Sequence, residues 1–299
     1  MPYIHRIRPE IIQFTETLAI RWYGLSYLVG FLVGYWILVR FAKQGRLPIP
    51  AGRVQDFLTA LAFFGVMLGG RLGYFLFYQP GTLLRDPLSF FQVWKGGMAS
   101  HGGLLGCGLV VLWWARRQQV SFWDIMDPLV VAGTPGLAFG RIANFINGEL
   151  WGRPTSVPWA VVFPEEIAEF AADGRLATHR YDLPILEQFV EMGYLLPRHP
   201  SQLYQAFLEG ALLFAILWCL SRRSWCWQKP GRLSLVFLLG YGTARFAMEF
   251  FREPDQGAPI FMKWMTTGQL LTLAMFVLAA ALIAFPQRFG RVKPPAKTP

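Results

Sequence analysis

The sequence predicts an all-α integral membrane protein with seven transmembrane helices. The N-terminus lies outside (periplasmic), the C-terminus is cytoplasmic, and a small external head sits between spans 4 and 5. Three observations carry this expectation. Hydrophobic residues fill 54% of the 299 positions and charged residues only 15%, against about 25% charged in ordinary soluble domains. The apolar residues form runs of about the 20 residues a helix needs to cross a bilayer. Lys and Arg collect in short clusters between those runs, a pattern of topology control and contact with anionic lipid. That placement argues against nucleic acid as the partner behind the formal charge of +10.

Taken in order, the chain is polar and irregular up to Ile12, and no cleavage-site pattern follows the first apolar run, which reads as a retained span. The expected spans are 17–39, 57–78, 98–115, 125–146, 203–221, 233–251 and 266–285; the third is short and rich in glycine. One set of connections holds 14 basic residues in short segments: Arg40 to Arg53, Arg116 and Arg117, Arg222 to Arg232, and Arg288 to Lys297. The opposite set holds 10 in about twice the length, so the first set faces the cytoplasm despite Arg6 and Arg8. The head, 147–200, contains eight of the eighteen acidic residues, and Pro154, Pro158, Pro164, Gly174, Pro184, Pro197 and Pro200 are among the residues that break it into short pieces. Val157–Phe163 reads as a strand, and 165–172 and 186–192 as short helices. It is too small to fold alone and is expected to cap the bundle. Residues 286–299, basic and proline-containing, read as a disordered cytoplasmic tail near anionic lipid.

Four basic residues fall within spans, and all are arginine: Arg21, Arg71, Arg141 and Arg245. In span 6, Tyr241, Arg245, Glu249 and Arg252 recur at helical spacing and share one face. Two readings stand for this face. Arg245 and Glu249 form a self-neutralised structural pair, or the stripe meets a polar headgroup. Span 4 offers Arg141 and Asn144, then breaks at Asn147-Gly148, with Glu149 and Gly152 following. A guanidinium fork matches two phosphate oxygens, so two arginines from different helices suit one phosphodiester at the membrane border. Snorkelling to lipid phosphate is the alternative for Arg141 alone, and it explains Arg141 and Arg245 together less well.

His101, in Ser100-His101-Gly102-Gly103, titrates near neutrality and is a proton acceptor by type; alone, such a histidine is more often structural. Tyr23 reads locally as an aromatic-belt residue, and His199 as structural. Gly70-Arg71-Leu72-Gly73-Tyr74-Phe75 echoes Gly140-Arg141-Ile142-Ala143-Asn144-Phe145, a weak sign that spans 2 and 4 are related. Cys107, Cys219 and Cys226 make neither a disulfide framework nor a metal site. No nucleophile elbow, zinc helix or phosphate-binding glycine loop is present.

The segment Phe139–Ser156 resembles the signature of the prolipoprotein diacylglyceryl transferase family. So do Arg21-Trp22-Tyr23-Gly24, Gly69 to Tyr74, His101-Gly102-Gly103, Arg198 to Tyr204 and Gly240 to Arg252, in the family's order along nearly all the chain. Gln205 departs from the glutamate many members carry, and the head is the least similar region. The resemblance implies one transmembrane catalytic domain over 1–299. It further implies transfer of the diacylglyceryl group of phosphatidylglycerol to the lipobox cysteine of a preprolipoprotein signal peptide, at the inner membrane. It points to Tyr23, His101, Arg141, Asn144, Glu149, Gly152 and Arg245. On that reading His101 takes the thiol proton, Arg141 and Arg245 hold the phosphodiester, and Tyr23, Asn144 and Glu149 orient them. Arg71, Asn147, Tyr241, Glu249 and Arg252 join the expected substrate-binding set, and no metal or cofactor is expected. An anion transporter and a structural scaffold are the rivals. The first fits intramembrane arginines and a repeat, and the second leaves the clustered Arg, Asn and Glu unexplained.

Overall fold

The structure is a computed structural model, and it describes residues 2–15, 19–92, 96–166, 183–253 and 266–284. Each of the seven apolar runs contains a helix, though the first, expected from 17, begins only at Trp22 because Ala19–Arg21 is a strand. The helices are Trp22–Lys43; Val54–Ala60, passing through a π-helical stretch Leu61–Leu68 into Gly69–Tyr78; Ser100–Gln118; Phe122–Asn147; Ser201–Gln205, passing through a second π stretch Ala206–Leu212 into Leu213–Ser221; Arg232–Met248; and Thr267–Ala284. Among the described residues, four segments are long and apolar enough to cross a membrane: Trp22–Lys43, Ala51–Leu76, Phe122–Asn147 and Ser201–Ser221. The chain is therefore a mostly helical, multi-pass membrane protein. The expected tail 286–299 lies outside the described residues.

Two compact units divide the chain. One comprises Met1–Gly34, Gly133–Arg222 and Leu235–Ala284, the other Tyr35–Ala132 and Arg223–Ser234. In the first unit, small residues let helix backbones meet, as they do where no hydrophobic force drives helices together in lipid. A Cβ on Gly30 would sit 3.3 Å from Gly136 Cα, and one on Gly210 would sit 2.5 Å from Ala138 Cβ. Gly240 faces Leu213 and Gly242 faces the Phe276 ring in the same way.

The first unit also carries two small sheets. β1 (Tyr3–Ile4) and β2 (Glu10–Gln13), with β3 (Ala19–Arg21), come from the N-terminus; β4 (Val161–Val162) and β5 (Pro197–Arg198) come from 147–200. β1 pairs parallel with β4, β4 antiparallel with β5, and β2 antiparallel with β3. The N-terminal residues expected to be irregular are thus partly strands. Two-residue strands carry no period-2 signal, and the partner of Tyr3 is Val161, far along the chain. Ile4, Val162, Leu186 and Leu195 form a buried cluster with Phe189 and Val190 against it. The expected strand contracts to Val161–Val162, the second short helix is Leu183–Glu191, and most of 165–172 lies outside the described residues.

In the second unit, the π stretch and Gly69–Tyr78 lie against Ser100–Gln118. Gly69 would carry a Cβ 2.6 Å from Gly102 O, and Gly73 one 2.6 Å from Gly102 Cα. The glycine-rich run is a helix because its glycines are the contact surface. Asp127, 3% exposed, accepts from Gly231 N at 2.8 Å, Ser234 N at 2.8 Å and Ser234 Oγ at 2.6 Å. It thereby satisfies amides that open the Arg232–Met248 helix and have no intrahelical partner.

Candidate active site

The site is built on the C-terminal end of Phe122–Asn147. Gly148, at φ +69, donates from its N–H to Phe145 O, and Glu149 N donates to Asn144 O, both at 3.0 Å. This is a Schellman ending, which glycine favours because it enters the left-handed region without a Cβ penalty. The turn folds Glu149 back over the helix. Asn144 Nδ2 donates to Glu149 Oε1 at 2.7 Å, and Asn147 Nδ2 reaches the same oxygen at 3.4 Å.

One turn before Asn144, Arg141 Nη2 donates to Glu209 Oε2 at 3.2 Å. Glu209 is fully buried in the π stretch of its helix, and Arg141 keeps 19% of its side chain exposed. The contact of Gly210 with Ala138 sets this pairing, because it brings Glu209 level with the turn that carries Arg141. Arg141 also shares a hydrogen bond with the Tyr241 hydroxyl, whose ring stacks on Phe237 with centroids 5.4 Å apart. Arg245 and Arg252, like Arg141, act on Glu209 electrostatically. Of the three, Arg141 is the one in direct contact with the acid.

Arg245 has its own carboxylate. Its Nη1 lies 2.5 Å from Glu249 Oε2, one helical turn on. Glu249 in turn accepts from Thr266 Oγ1 at 2.8 Å. Thr266 and Gln269 form a capping box at the start of Thr267–Ala284: Gln269 N donates to Thr266 Oγ1 at 3.2 Å and Thr266 N to Gln269 Oε1 at 3.0 Å. Gly268 leaves room for the carboxylate, since a Cβ there would meet Glu249 Oε1 at 2.8 Å. The positive end of the helix dipole favours an anion at this place. The self-neutralised pair is real, and it stands within the electrostatic reach of Glu209.

Tyr23, in the first turn of Trp22–Lys43, has both Glu149 and Arg141 as electrostatic neighbours and accepts from the Tyr27 hydroxyl at 3.1 Å. From Gly30 to Tyr23 is about 10 Å along one helix, and from Gly136 to Arg141 about 8 Å along the other. The Gly30–Gly136 contact therefore brings both residues to the same end of the pair.

Gly152 is held by backbone on both sides. Its N–H donates to His199 O at 2.9 Å, it bridges to Arg252, and Arg153 N donates to Phe251 O at 2.8 Å. A Cβ there would fall 2.5 Å from His199 O and 2.7 Å from Phe251 O. Gly152, expected to bind substrate, is fully occupied in joining three segments. Arg198 clasps Glu166 through Nε at 2.9 Å and Nη2 at 2.5 Å, and donates to Gly152 O at 3.1 Å and Glu253 at 3.2 Å. Burial alone would lower the Arg198 pKa, but the Glu166 and Glu253 carboxylates outweigh it and carry it above the usual value. His199 makes a 3.3 Å contact with the Tyr204 hydroxyl, and burial holds its pKa below the ordinary value.

The second unit receives two expected residues. Arg71, 4% exposed, donates to five backbone carbonyls: Phe90 at 2.9 Å, Gly97 at 3.0 Å, Ser89 at 2.5 Å, Gln92 at 3.1 Å and Gly96. Expected among the substrate-binding residues, it holds the connection between two helices, with Phe75 under its guanidinium at 4.9 Å. The echo with Arg141 does not extend to partners, since one arginine binds carbonyls and the other a carboxylate. His101 opens the Ser100–Gln118 helix; its side chain lies outside those described.

Sequence reasoning missed Glu209, Gln202 and the Thr266–Gln269 box, and it marked Gln205 only as a departure from the family pattern. A lone acid inside an apolar run carries the same message as a lone arginine, and Glu209 is the only Asp or Glu between 203 and 221.

Among known proteins, the family described as prolipoprotein diacylglyceryl transferase matches residues 9–285. A Photobacterium profundum protein named phosphatidylglycerol–prolipoprotein diacylglyceryl transferase is 43% identical over 277 residues, covering 93% of this chain and 92% of its own. Proteins of the same name from Cereibacter sphaeroides and Stenotrophomonas maltophilia are 43% and 39% identical, covering 91% and 98% of this chain and 93% and 97% of theirs.

Proposed function

The chain belongs to the prolipoprotein diacylglyceryl transferase family, and from that premise we propose how its residues perform the family's reaction. It is a transferase that moves diacylglyceryl from phosphatidylglycerol to prolipoprotein, the first step of lipoprotein maturation. The acceptor is the thiol of the lipobox cysteine in the signal peptide. The protein works in the bacterial inner membrane as a seven-span bundle with its N-terminus outside and its C-terminus in the cytoplasm. Residues 147–200 form the external head, and the site opens near the outer face. The positive-inside count supports this orientation.

The reaction joins sulfur to an sp³ carbon and breaks that carbon's bond to a phosphate oxygen. The thiol proton passes to His101, the sulfur electron pair forms the thioether, and the C–O pair leaves with glycerol phosphate. Arg141 and Arg245 take the phosphodiester oxygens and the charge that grows on the leaving group. Tyr23, Asn144, Asn147 and Glu149 orient the headgroup and Arg141, while Tyr241, Glu249 and Arg252 complete the polar face. A free thiol is mostly protonated at neutral pH, which is why a proton acceptor is needed. The lipid carries its own leaving group, so no cofactor takes part in the proposed steps.

The observation that carries this reading is the pair that Arg141 makes with the buried Glu209 at 3.2 Å, with Arg245 and Arg252 near enough to act on the same carboxylate electrostatically. An arriving phosphodiester finds guanidinium groups already gathered around an anion. The test is transfer by purified protein of radiolabelled diacylglyceryl from phosphatidylglycerol to a lipobox peptide. Label on the cysteine peptide and none on its serine counterpart is expected. Anion flux across vesicles without peptide labelling would favour the transporter instead.

A further inference from the structure

The Ser201–Ser221 segment presents a polar stripe that the proposed steps leave unused. Gln202, Gln205 and Glu209 recur at spacings of three and four, share a helix face, and are each fully buried. The two ends of the stripe are tied to the site. Gln202 Nε2 donates to Glu149 O at 2.7 Å, and Glu209 Oε2 accepts from Arg141. The rest of the stripe is unpartnered. Among the described residues, Gln202 Oε1, both Gln205 Nε2 and Oε1, and Glu209 Oε1 have no hydrogen-bond partner. Buried polar atoms normally find partners, and those that do not ask for an explanation.

We propose that Gln205, flanked by Gln202 and Glu209, is a specificity-determining residue that seats the hydroxyl groups of the lipid headgroup while Arg141 takes the adjoining phosphate. The chemistry of the orphaned atoms selects this ligand. Three of them only accept, so a phosphate, which offers only acceptors at neutral pH, cannot satisfy them. An ammonium headgroup donates but leaves Gln205 Nε2 without an acceptor. A vicinal diol both donates and accepts, and it sits next to the phosphodiester in phosphatidylglycerol. The π turn at Ala206–Leu212 supports the assignment, because such turns recur at functional sites.

This inference rests on phosphatidylglycerol being the substrate, so the test pairs it with phosphatidylpropanol, which has the same phosphodiester and no hydroxyls. Full-length protein transfers label from each lipid to a lipobox peptide, and the ratio of kcat/KM values is read. The wild-type ratio is expected to favour phosphatidylglycerol by about tenfold or more, since a site built to hydrogen-bond a hydroxyl rejects the analogue lacking it. Gln205→Leu is expected to lower that ratio at least about tenfold. Gln205→Met, which removes donor and acceptor from a chain of similar length, is expected to lower the ratio likewise and serves if the leucine variant does not fold, while Gln205→Glu, the residue many members carry, keeps the acceptors and is expected to retain the preference. A ratio unchanged by Gln205→Leu or Gln205→Met, a preference lost in Gln205→Glu, or a wild-type ratio near one overturns the inference and assigns the stripe to water or packing. Wild-type protein that labels the peptide from neither lipid overturns the transfer reading itself.

Discussion

Arg141 donates to Glu209 across 3.2 Å, from a helix pair whose backbones touch at Ala138 and Gly210. The carboxylate is fully buried while part of the guanidinium stays accessible. This asymmetry suits a cation held ready and an anion kept out of solvent. Glu209→Leu removes one partner of a buried pair and leaves the other uncompensated, which costs about 3–5 kcal/mol. Thermal unfolding of the detergent-solubilised protein is expected to show a large drop in midpoint, with a smaller drop for Glu209→Gln. Equal midpoints for wild type and Glu209→Leu would show that Arg141 does not depend on this acid.

The capping box links a helix start to the site. Thr266→Ala is expected to cost about 1 kcal/mol as a lost N-cap, and it also removes the hydroxyl that Glu249 accepts. The transfer rate should fall by more than the modest stability loss explains, because Glu249 then loses its hold on Arg245. Paired measurements of melting midpoint and kcat would separate the two effects. A kcat that is unaffected while the midpoint drops would confine Thr266 to capping.

Gly152→Ala places a methyl against two carbonyl oxygens and His199 Cβ. None of these is the end of a flexible side chain, so the three joined segments must separate. We expect strong loss of transfer together with faster proteolysis of 147–200. Retained activity with a wild-type digestion pattern would contradict the packing described.

Burial holds His199 below its ordinary pKa. The folded protein therefore binds fewer protons than the unfolded chain as pH falls through about 6.5. Stability from this group is complete above that pH and is lost as pH drops toward the folded value. Melting midpoints between about pH 5 and 8 are expected to rise with pH, and His199→Gln should flatten that rise. An equal slope in the variant would place the titration elsewhere.

The helices were legible from the sequence because each is an apolar run with polar ends. Arg141, Asn144, Glu149 and Arg245 announced themselves as polar residues where hydrocarbon was expected. The partners did not. Whether Arg245 pairs within its helix or faces a headgroup cannot be decided by spacing, and the structure shows it bound to Glu249 while sharing its field with Glu209. Arg71 looked like Arg141 in sequence, yet its surroundings are carbonyls from a connection with no pattern of its own. The N-terminal strand was hidden because Ile4 gains its place only from Val162 and Leu186. Non-local contacts of this kind leave no periodic trace.

In the proposed reaction the Arg141 fork holds the phosphodiester. Arg141→Lys preserves the charge and removes the bidentate geometry. The direct measurement is kcat/KM for transfer from phosphatidylglycerol to a lipobox peptide, wild type against Arg141→Lys, with folding checked by melting midpoint. A loss of about 100-fold or more in a folded variant is the result expected. Kinetics equal to wild type would contradict it.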